Sequence, residues 1–319
     1  MYNNAIELKA IIEKTNSNIS SVVLENECLL AETTPEIIME RTYNILKVMK
    51  ESATMGLEKD IRSISGFTGG EAKKMNLYSK TDNTICGSII NQAMAKAFSS
   101  AEVNASMGKV VAAPTAGSCG IVPAALFTCG ELLTAKLMKE TGGDAESAGA
   151  GGEAHAIRVA NLVDQKMALG LLTAAAIGQI IAKNATLSGA EGGCQAECGA
   201  AAAMAAAALV EMYGGTPDMA FNAAGIAIMN ILGLVCDPVA GLVELPCSRR
   251  NASGVVNAMS SADMGLAGVK SIIPFDEIVE AMYKVGKALP ESLRETGMGG
   301  IADTPTGRRM ACKLYDVEK

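Results

Sequence analysis

The chain has no tryptophan, a single histidine and few other aromatic residues. Phe, Trp and Tyr together make up 3% of its 319 residues, so the side chains that are enriched in β-strands contribute little to its core. The core must instead be built from Ala, Leu, Ile, Val and Met, mostly small or unbranched residues that favour helices. We predict an all-α fold in which loops marked by Gly and Pro carry the ligand-binding residues.

An excess of positive charge is also lacking. The sequence has 27 Lys and Arg against 34 Asp and Glu, which gives a net charge of −7 and a pI near 5.0. This balance argues against a nucleic-acid-binding surface. No basic segment precedes an apolar run at the N-terminus, so we expect no signal peptide and a cytoplasmic protein.

One stretch, residues 110–130, has no charged residue and is long enough to span a membrane. It contains Pro114, Gly117, Gly120 and Pro123, which interrupt a single continuous helix. We therefore expect this stretch to be buried protein core, and we expect no membrane association.

The length allows one large domain or two modest ones. We predict an N-terminal helical segment over residues 1–60 and a helical catalytic domain over residues 61–319. Apolar periodicity predicts helices over about 4–14, 36–59, 84–107, 121–140, 165–184, 200–210 and 218–234. The glycine-rich segment 141–154 predicts a mobile loop or a subunit contact.

Two loops combine hydroxyl side chains with glycine. The loop Ser65–Gly70 has successive backbone amides that can form an anion-binding nest, although its sequence alone favours a plain turn before the next helix. Thr115 and Gly117 precede a predicted helix N-terminus, whose free amides also attract anions. Here a ligand pocket and a plain helix start are about equally supported. The phosphate-loop ending Gly-Lys-Ser/Thr is absent from this motif.

A third glycine-rich turn begins at Ser188. Ser188 and Glu191 match a helix capping box. Gly192 and Gly193 would each cost about 1 kcal/mol relative to Ala in that helix, so we expect another group to approach this backbone closely. Cys194 follows near a helix N-terminus, where the helix dipole favours a thiolate.

Two further cysteines, Cys236 and Cys247, lie in a stretch that Pro238 and Pro246 are expected to keep non-helical. Their separation does not match the short paired spacings of structural zinc sites. Together with Cys194 they provide thiols from three separate segments. This arrangement suits an iron–sulfur cluster in which one iron has no protein thiolate.

Other residues near these cysteines leave alternatives open. Cys198 could chelate with the thiol one helical turn before it or could be a small core residue. Glu197 is a charge in an apolar helix, so we expect it to face a polar pocket. Arg249 and Arg250 could offset the negative charge of a cluster or hold an anionic substrate.

These segments resemble the α subunit of the iron–sulfur L-serine dehydratases (L-serine ammonia-lyases), over about residues 65–306. The segments that carry the resemblance are Pro114-Thr-Ala-Gly-Ser-Cys-Gly-Ile-Val-Pro-Ala, Ser188-Gly-Ala-Glu-Gly-Gly-Cys-Gln-Ala-Glu, and Cys236-Asp-Pro-Val-Ala-Gly-Leu-Val-Glu-Leu-Pro-Cys with Arg250-Asn251. The resemblance implies that a [4Fe–4S] cluster is held by Cys194, Cys236 and Cys247. It implies a serine site lined by Ser65, Thr68, Thr115, Gly117 and Ser188.

The sequence departs from this family in two places. Single-chain relatives carry an additional β domain before the matching region, and nothing comparable precedes Ser65 here. Because two-subunit relatives place that domain on a separate chain, the resemblance implies a β subunit as partner. Some relatives end in a cysteine that occupies the open iron, but Cys312 is out of step with that position.

The reaction that the resemblance implies is the deamination of L-serine to pyruvate and ammonia, with an open iron acting as Lewis acid. The general base is not assigned, and His155, Lys183 and a residue of the partner chain all remain candidates. A cluster-dependent L-cysteine desulfidase and a non-catalytic redox protein are the alternative functions. A pyridoxal-phosphate lyase is disfavoured because no lysine lies beside a convincing phosphate loop.

Overall fold

The computed structural model describes residues 1–140 and 150–315, and within these ranges it has thirteen α-helices and no β-strand. The structure is 71% helical, which confirms the predicted all-α fold. The helices are α1 (Ala5–Thr15), α2 (Ile19–Leu30), α3 (Pro35–Met55), α4 (Glu71–Tyr78), α5 (Gly87–Ala105), α6 (Ile121–Glu140), α7 (Ala150–Asn184), α8 (Gly189–Gly192), α9 (Ala200–Met212), α10 (Pro217–Met229), α11 (Cys247–Leu266), α12 (Phe275–Ala288) and α13 (Pro305–Leu314).

Helix α9 lies at the centre of the core, and nearly all of its residues are buried, most of them alanines. Ala has the highest helix propensity, and its small side chain lets neighbouring helices come close. A Cβ atom at Gly170 of α7 would lie 2.9 Å from Cγ of Met212 in α9. A Cβ atom at Gly265 of α11 would lie 2.8 Å from the Met219 carbonyl oxygen of α10. Close helix packing around α9 therefore depends on small residues.

The N-terminal helices pack into this same core. Leu8, Ile19 and Leu46 are buried together with residues of α6, α7 and α9. Asp276, in the first turn of α12, accepts a hydrogen bond from the Ala5 amide at 2.8 Å, so it ties the start of α1 to α12. The core thus includes residues from both sides of the predicted boundary at residue 60, and the division into two units stays a prediction.

The uncharged stretch is largely internal, as expected. Residues 121–130, in the first half of α6, are all buried. Two stretches, Ala116–Glu140 and Gly152–Asn184, are long and apolar enough to cross a membrane by length and composition, and 61% of the most apolar window of each is buried in the protein. Helices in the core of a protein also pass this test of length and composition, so the two stretches are only weak evidence for a membrane span.

The bounds of the helices predicted from the sequence are close to the observed ones, and the largest differences are at the end of α10 and the start of α7. The helix predicted over 218–234 ends at Met229, because the chain turns at residues 230–233 and Gly233 has a left-handed φ of 89°. Helix α7 begins at Ala150, well before the predicted residue 165. Residues 141–149 of the segment predicted to be mobile lie outside the described residues.

Candidate active site

The three predicted thiol ligands lie close to helix ends in the interior. Cys194 immediately precedes a π-helical turn, Gln195–Gly199, that runs directly into α9. Cys247 is the first residue of α11, and Cys236 follows the turn after α10. Their exposed fractions are 3% for Cys194, 9% for Cys247 and 3% for Cys236. Besides burial, the charges of Cys194 and Glu197 both raise the pKa of Cys236 and of Cys247, so the three thiols share one electrostatic environment.

The prediction that Cys247 lies in a non-helical loop is wrong. Pro246 lacks an amide hydrogen and occupies the N-cap position, where none is needed, so α11 starts directly after it. Cys247 therefore lies among the free amides of the first turn, where the helix dipole favours negative charge. Cys194 likewise precedes the helical path into α9. Two of the three thiols thus lie at positive helix ends.

The thiols differ in their tendency to ionise. Sγ of Cys194 is 3.3 Å from Sγ of Cys198, and this hydrogen bond, together with the charge of Arg250, lowers the pKa of Cys194 despite its burial. Burial raises the pKa of Cys236, and it raises the pKa of Cys247 to about 12. Cys198 is therefore a hydrogen-bond partner of Cys194, and its own pKa is raised by that bond and by burial.

Glu197 joins three of the predicted segments. The Thr115 hydroxyl donates a hydrogen bond to its Oε1 at 2.8 Å, and Sγ of Cys236 lies 3.9 Å from its Oε2. A Cβ atom at Gly117 would lie 3.0 Å from Oε1, and one at Gly189 would lie 2.6 Å from Oε2 and 3.0 Å from Sγ of Cys236. Both glycines make room for this carboxylate, whose neighbours include the Thr115 hydroxyl and the Cys236 thiol, and the prediction that it faces a polar pocket stays a prediction. Burial raises the pKa of Glu197, and the Thr115 hydrogen bond opposes that shift.

Glu244 organises the other hydroxyl loop, and sequence reasoning did not identify it. Its Oε2 accepts hydrogen bonds from the Ser65 hydroxyl at 2.6 Å and from the Thr68 hydroxyl at 3.2 Å. Glu244 is only 5% exposed. The available signal was its isolated charge between Val243 and Leu245, inside the segment that links two of the thiols. The Ser65 loop therefore lies against a buried carboxylate, and the Thr115 loop lies against a half-buried one.

Asn251 connects the Thr115 loop to α11. Its side-chain amide donates to the Gly117 carbonyl at 2.7 Å and to the Cys247 carbonyl at 2.9 Å. Its side-chain oxygen accepts from the Gly120 amide at 2.8 Å. The side chain is 1% exposed, so these bonds replace water contacts that the folded chain excludes.

The two arginines after Cys247 have different surroundings. Arg250 forms a largely buried ion pair with Asp237 at 2.7 Å and donates to the Val235 carbonyl at 2.9 Å. Its positive charge favours the thiolate forms of Cys194 and Cys247. Arg249 instead pairs with Glu71 at 2.9 Å.

The capping box predicted at Ser188 is wrong. Helix α8 spans only Gly189–Gly192, and the Ser188 side chain makes no capping hydrogen bond. Glu191 pairs instead with Lys287 at 3.8 Å. The close approach expected at Gly192 is present, because a Cβ atom on Gly286 of α12 would lie 2.7 Å from the Gly192 Cα atom. The group that approaches this backbone is thus α12.

The remaining titratable candidates lie on helices. Lys183 donates to the Tyr2 carbonyl at 2.5 Å and lies 5.6 Å from the centre of the Tyr2 ring, so it holds the N-terminus against α7. His155 is half-buried on α7 and Cys312 is half-buried on α13. Among residues 1–140 and 150–315, no group of three or more His, Cys, Asp or Glu side chains is placed to hold a single metal ion.

Comparison with known proteins gives consistent results over nearly the whole chain. A family model described as "Serine dehydratase alpha chain" matches residues 14–302. The chain is 44% identical to a probable L-serine dehydratase, alpha chain, of Bacillus subtilis, over 99% of this chain and 96% of that protein. It is 46% identical to the L-serine dehydratase, alpha chain, of Peptoniphilus asaccharolyticus, over 97% of each. It is 33% identical to L-serine dehydratase 2 of Escherichia coli, where it covers 61% of the longer protein.

The contacts of Asn251 predict a stability effect. Asn251→Ala removes three hydrogen bonds and leaves the buried Gly120 amide without its acceptor, so we expect a loss of about 3 kcal/mol in the free energy of unfolding. Urea unfolding measures it. The control is Ser253→Ala, an exposed position on the same helix, for which we expect a change within about 0.5 kcal/mol. An Asn251→Ala protein as stable as this control would show that the three hydrogen bonds of Asn251 do not stabilise the connection between the Thr115 loop and α11.

Proposed function

The chain belongs to the serine dehydratase alpha chain family, and from this we propose that it is the α chain of an L-serine dehydratase that converts L-serine to pyruvate and ammonia. The observation that supports the proposal is that Thr115 and Cys236 both contact Glu197, while the Ser65 loop contacts Glu244 in the segment between Cys236 and Cys247. The Peptoniphilus relative carries the same activity in its name.

The proposed cofactor is a [4Fe–4S] cluster held by Cys194, Cys236 and Cys247. The donor set supports this assignment, since three thiols from separate segments would leave one iron of a four-iron cluster without a protein thiolate. Gly189 also lacks a side chain where a Cβ atom would collide with Cys236 and Glu197. The raised pKa values of Cys236 and Cys247 mean that binding the metal would release protons from these thiols.

When bound, the cluster supplies an iron without a protein thiolate, which can act as a Lewis acid on the serine hydroxyl. The residues of this chain hold the substrate. The hydroxyls of Ser65, Thr68 and Thr115 can hydrogen-bond its polar groups, and Ser188 lies in the turn before Cys194. Glu197 and Glu244 place negative charge behind these hydroxyls, which suits the ammonium group of serine better than its carboxylate.

A β subunit is the proposed partner, because both full-length relatives are named as alpha chains. The Escherichia coli protein is longer than this chain, which covers 61% of it. We propose that a second chain supplies here what the further region of the Escherichia coli polypeptide supplies there. We further propose a cytoplasmic location, with no nucleic acid or membrane as partner.

The activity is tested on anaerobically reconstituted protein with and without the co-expressed β chain. We expect pyruvate from L-serine when both chains are present, and loss of that activity in air because an iron without a thiolate is open to oxidants. Pyruvate formation is followed spectrophotometrically. Release of sulfide from L-cysteine without turnover of L-serine would contradict the proposal in favour of a desulfidase. Full activity of this chain alone would contradict the need for a partner.

The ligand set is tested by iron content. We expect the reconstituted protein to bind about four irons, and each single change Cys194→Ala, Cys236→Ala and Cys247→Ala to abolish their retention. Cys28→Ala and Cys129→Ala are matched controls on α2 and α6 and should retain the iron. Normal iron content in Cys236→Ala would rule out this ligand set.

The hydroxyl loops are tested by steady-state kinetics. Thr115→Val and Ser65→Ala each remove a hydroxyl from the proposed serine site, and a lost hydrogen bond to a charged group is worth about 1.5–3 kcal/mol. We expect the KM for L-serine to rise about tenfold or more while the visible absorption of the cluster is retained. Thr134→Val, whose hydroxyl donates only to the Gly130 carbonyl of its own helix, is the control. Unchanged kinetics in Thr115→Val would remove that loop from the site.

A further inference from the structure

A buried carboxyl group, that of Glu102, and a half-buried one, that of Glu71, lie directly behind the Ser65–Gly70 loop. Glu102 of α5 is 2% exposed, and its Oε1 accepts a hydrogen bond from the Ala72 amide at 3.0 Å. Its Oε2 is buried and meets no N–H or O–H donor in the described part of the chain. The carboxyl group of Glu71 interacts with that of Glu102, because the neighbouring Glu71 raises the pKa of Glu102. Two carboxylates this close repel each other, whereas a single shared proton satisfies both.

The second carboxyl group of the pair holds the loop itself. Oε2 of Glu71 accepts a hydrogen bond from the Gly69 amide at 2.6 Å. Its Oε1 accepts a hydrogen bond from Arg249 at 2.9 Å. Gly69 has a φ of 136°, and a Cβ atom there would collide with the Ile61 carbonyl oxygen, so the backbone of the loop is closely confined. Gly69 directly follows Thr68, whose hydroxyl lies in the proposed serine site.

We propose that Glu102 is protonated and donates a hydrogen bond to Glu71, and that this pair is a positioning device which holds the Ser65–Gly70 loop in its substrate-binding form. The inference rests on the proposed function of that loop. Neither side chain contacts the substrate. Their effect passes through the Gly69 and Ala72 amides, which lie at the end of the loop and in the first turn of α4.

The surroundings of Glu102 support this protonation state. Burial, and to a smaller extent the neighbouring Glu71, raise its pKa to about 7, and the hydrogen bond from the Ala72 amide opposes that shift. From α11, Arg249 reaches the pair through Glu71 and helps keep that carboxyl ionised. The groups beside Glu102 near the end of α3 are the Gly56 backbone and the uncharged Ser99 hydroxyl.

Other charged groups near these helices have their own partners. Glu131 of α6 pairs with Lys96 of α5 at 2.9 Å. Asp60, next to the loop, pairs with Lys73 of α4 at 3.6 Å. The charged group that acts on the pKa of Glu102 is Glu71.

The direction of the pH effect follows from the raised pKa. The stability that protonated Glu102 contributes is fully present below the unfolded value of 4.5 and is lost as pH rises through the folded value of about 7. Above that pH both carboxyls are ionised and repel each other. The bond between Glu71 and the Gly69 amide is then weakened, and the loop is held less firmly. The pair therefore makes loop order depend on pH near neutrality.

The test combines backbone hydrogen exchange of residues 63–70 with the KM for L-serine, both measured between pH 6 and pH 8.5. Glu102→Gln keeps a neutral donor to Glu71 at every pH, and Glu102→Leu removes it at every pH. Glu211→Gln is the control, because burial also raises the pKa of Glu211 while its partners are Ser20 and Thr173, away from the loop.

At pH 6 we expect the same exchange rate of residues 63–70 in wild-type protein and in Glu102→Gln. At pH 8.5 we expect these residues to exchange about threefold or more faster in wild-type protein than in Glu102→Gln. The ratio of the wild-type KM for L-serine to that of Glu102→Gln should likewise rise between pH 6 and pH 8.5, with kcat little changed. Glu102→Leu should exchange faster already at pH 6, and Glu211→Gln should follow wild type throughout.

Equal exchange of wild type and Glu102→Gln at every pH would overturn the inference. Should Glu102→Gln fail to fold, wild-type exchange that shows no loosening with pH, after correction for the intrinsic exchange rate, would overturn it equally. The exchange rates could change as expected while the ratio of the wild-type KM to that of Glu102→Gln stays constant with pH. That result would support the proton-sharing pair but would contradict the role of the loop in binding substrate.

Discussion

Buried acidic side chains, and the need to give each a hydrogen-bond donor, determine how the loops of this site are held together. The Ser65 and Thr68 hydroxyls donate to the buried Glu244, and the Thr115 hydroxyl donates to the half-buried Glu197, so each carboxylate would lose its donors if its loop moved away. An unpaired buried carboxylate costs far more than one lost hydrogen bond. Loop position and carboxylate burial are therefore mutually dependent.

The alanine-rich core explains how such a polar region can lie inside a helical protein. Because α9 presents mostly methyl groups, α7, α10 and α11 pack closely around it, and the long side chains that usually fill helix interfaces are few. The packing at the centre of the domain consequently fixes the first residues of the helical path into α9 and of α11. Those helix ends carry Cys194 and Cys247, so the positions of both thiols follow from apolar packing well away from them.

Charge balance around the thiols depends on a single buried arginine. Arg250 is held by Asp237 and the Val235 carbonyl, and it favours the thiolate forms of Cys194 and Cys247. Glu197 acts in the opposite direction on the same thiols. Thiols in such surroundings would release their protons when a metal cation binds among them.

The sequence by itself determined the helical class and the apolar periods of most helices, because composition and local turn residues act over a few neighbouring positions. It did not determine that α11 begins at Cys247, that Ser188 caps nothing, or that Glu244 and Glu102 lie behind the Ser65 loop. Those features depend on residues far apart in the chain, such as Ser65 with Glu244 and Asn251 with Gly120. Only tertiary packing decided them, since a buried polar group takes whichever donor the fold brings within reach, and local sequence does not specify that partner.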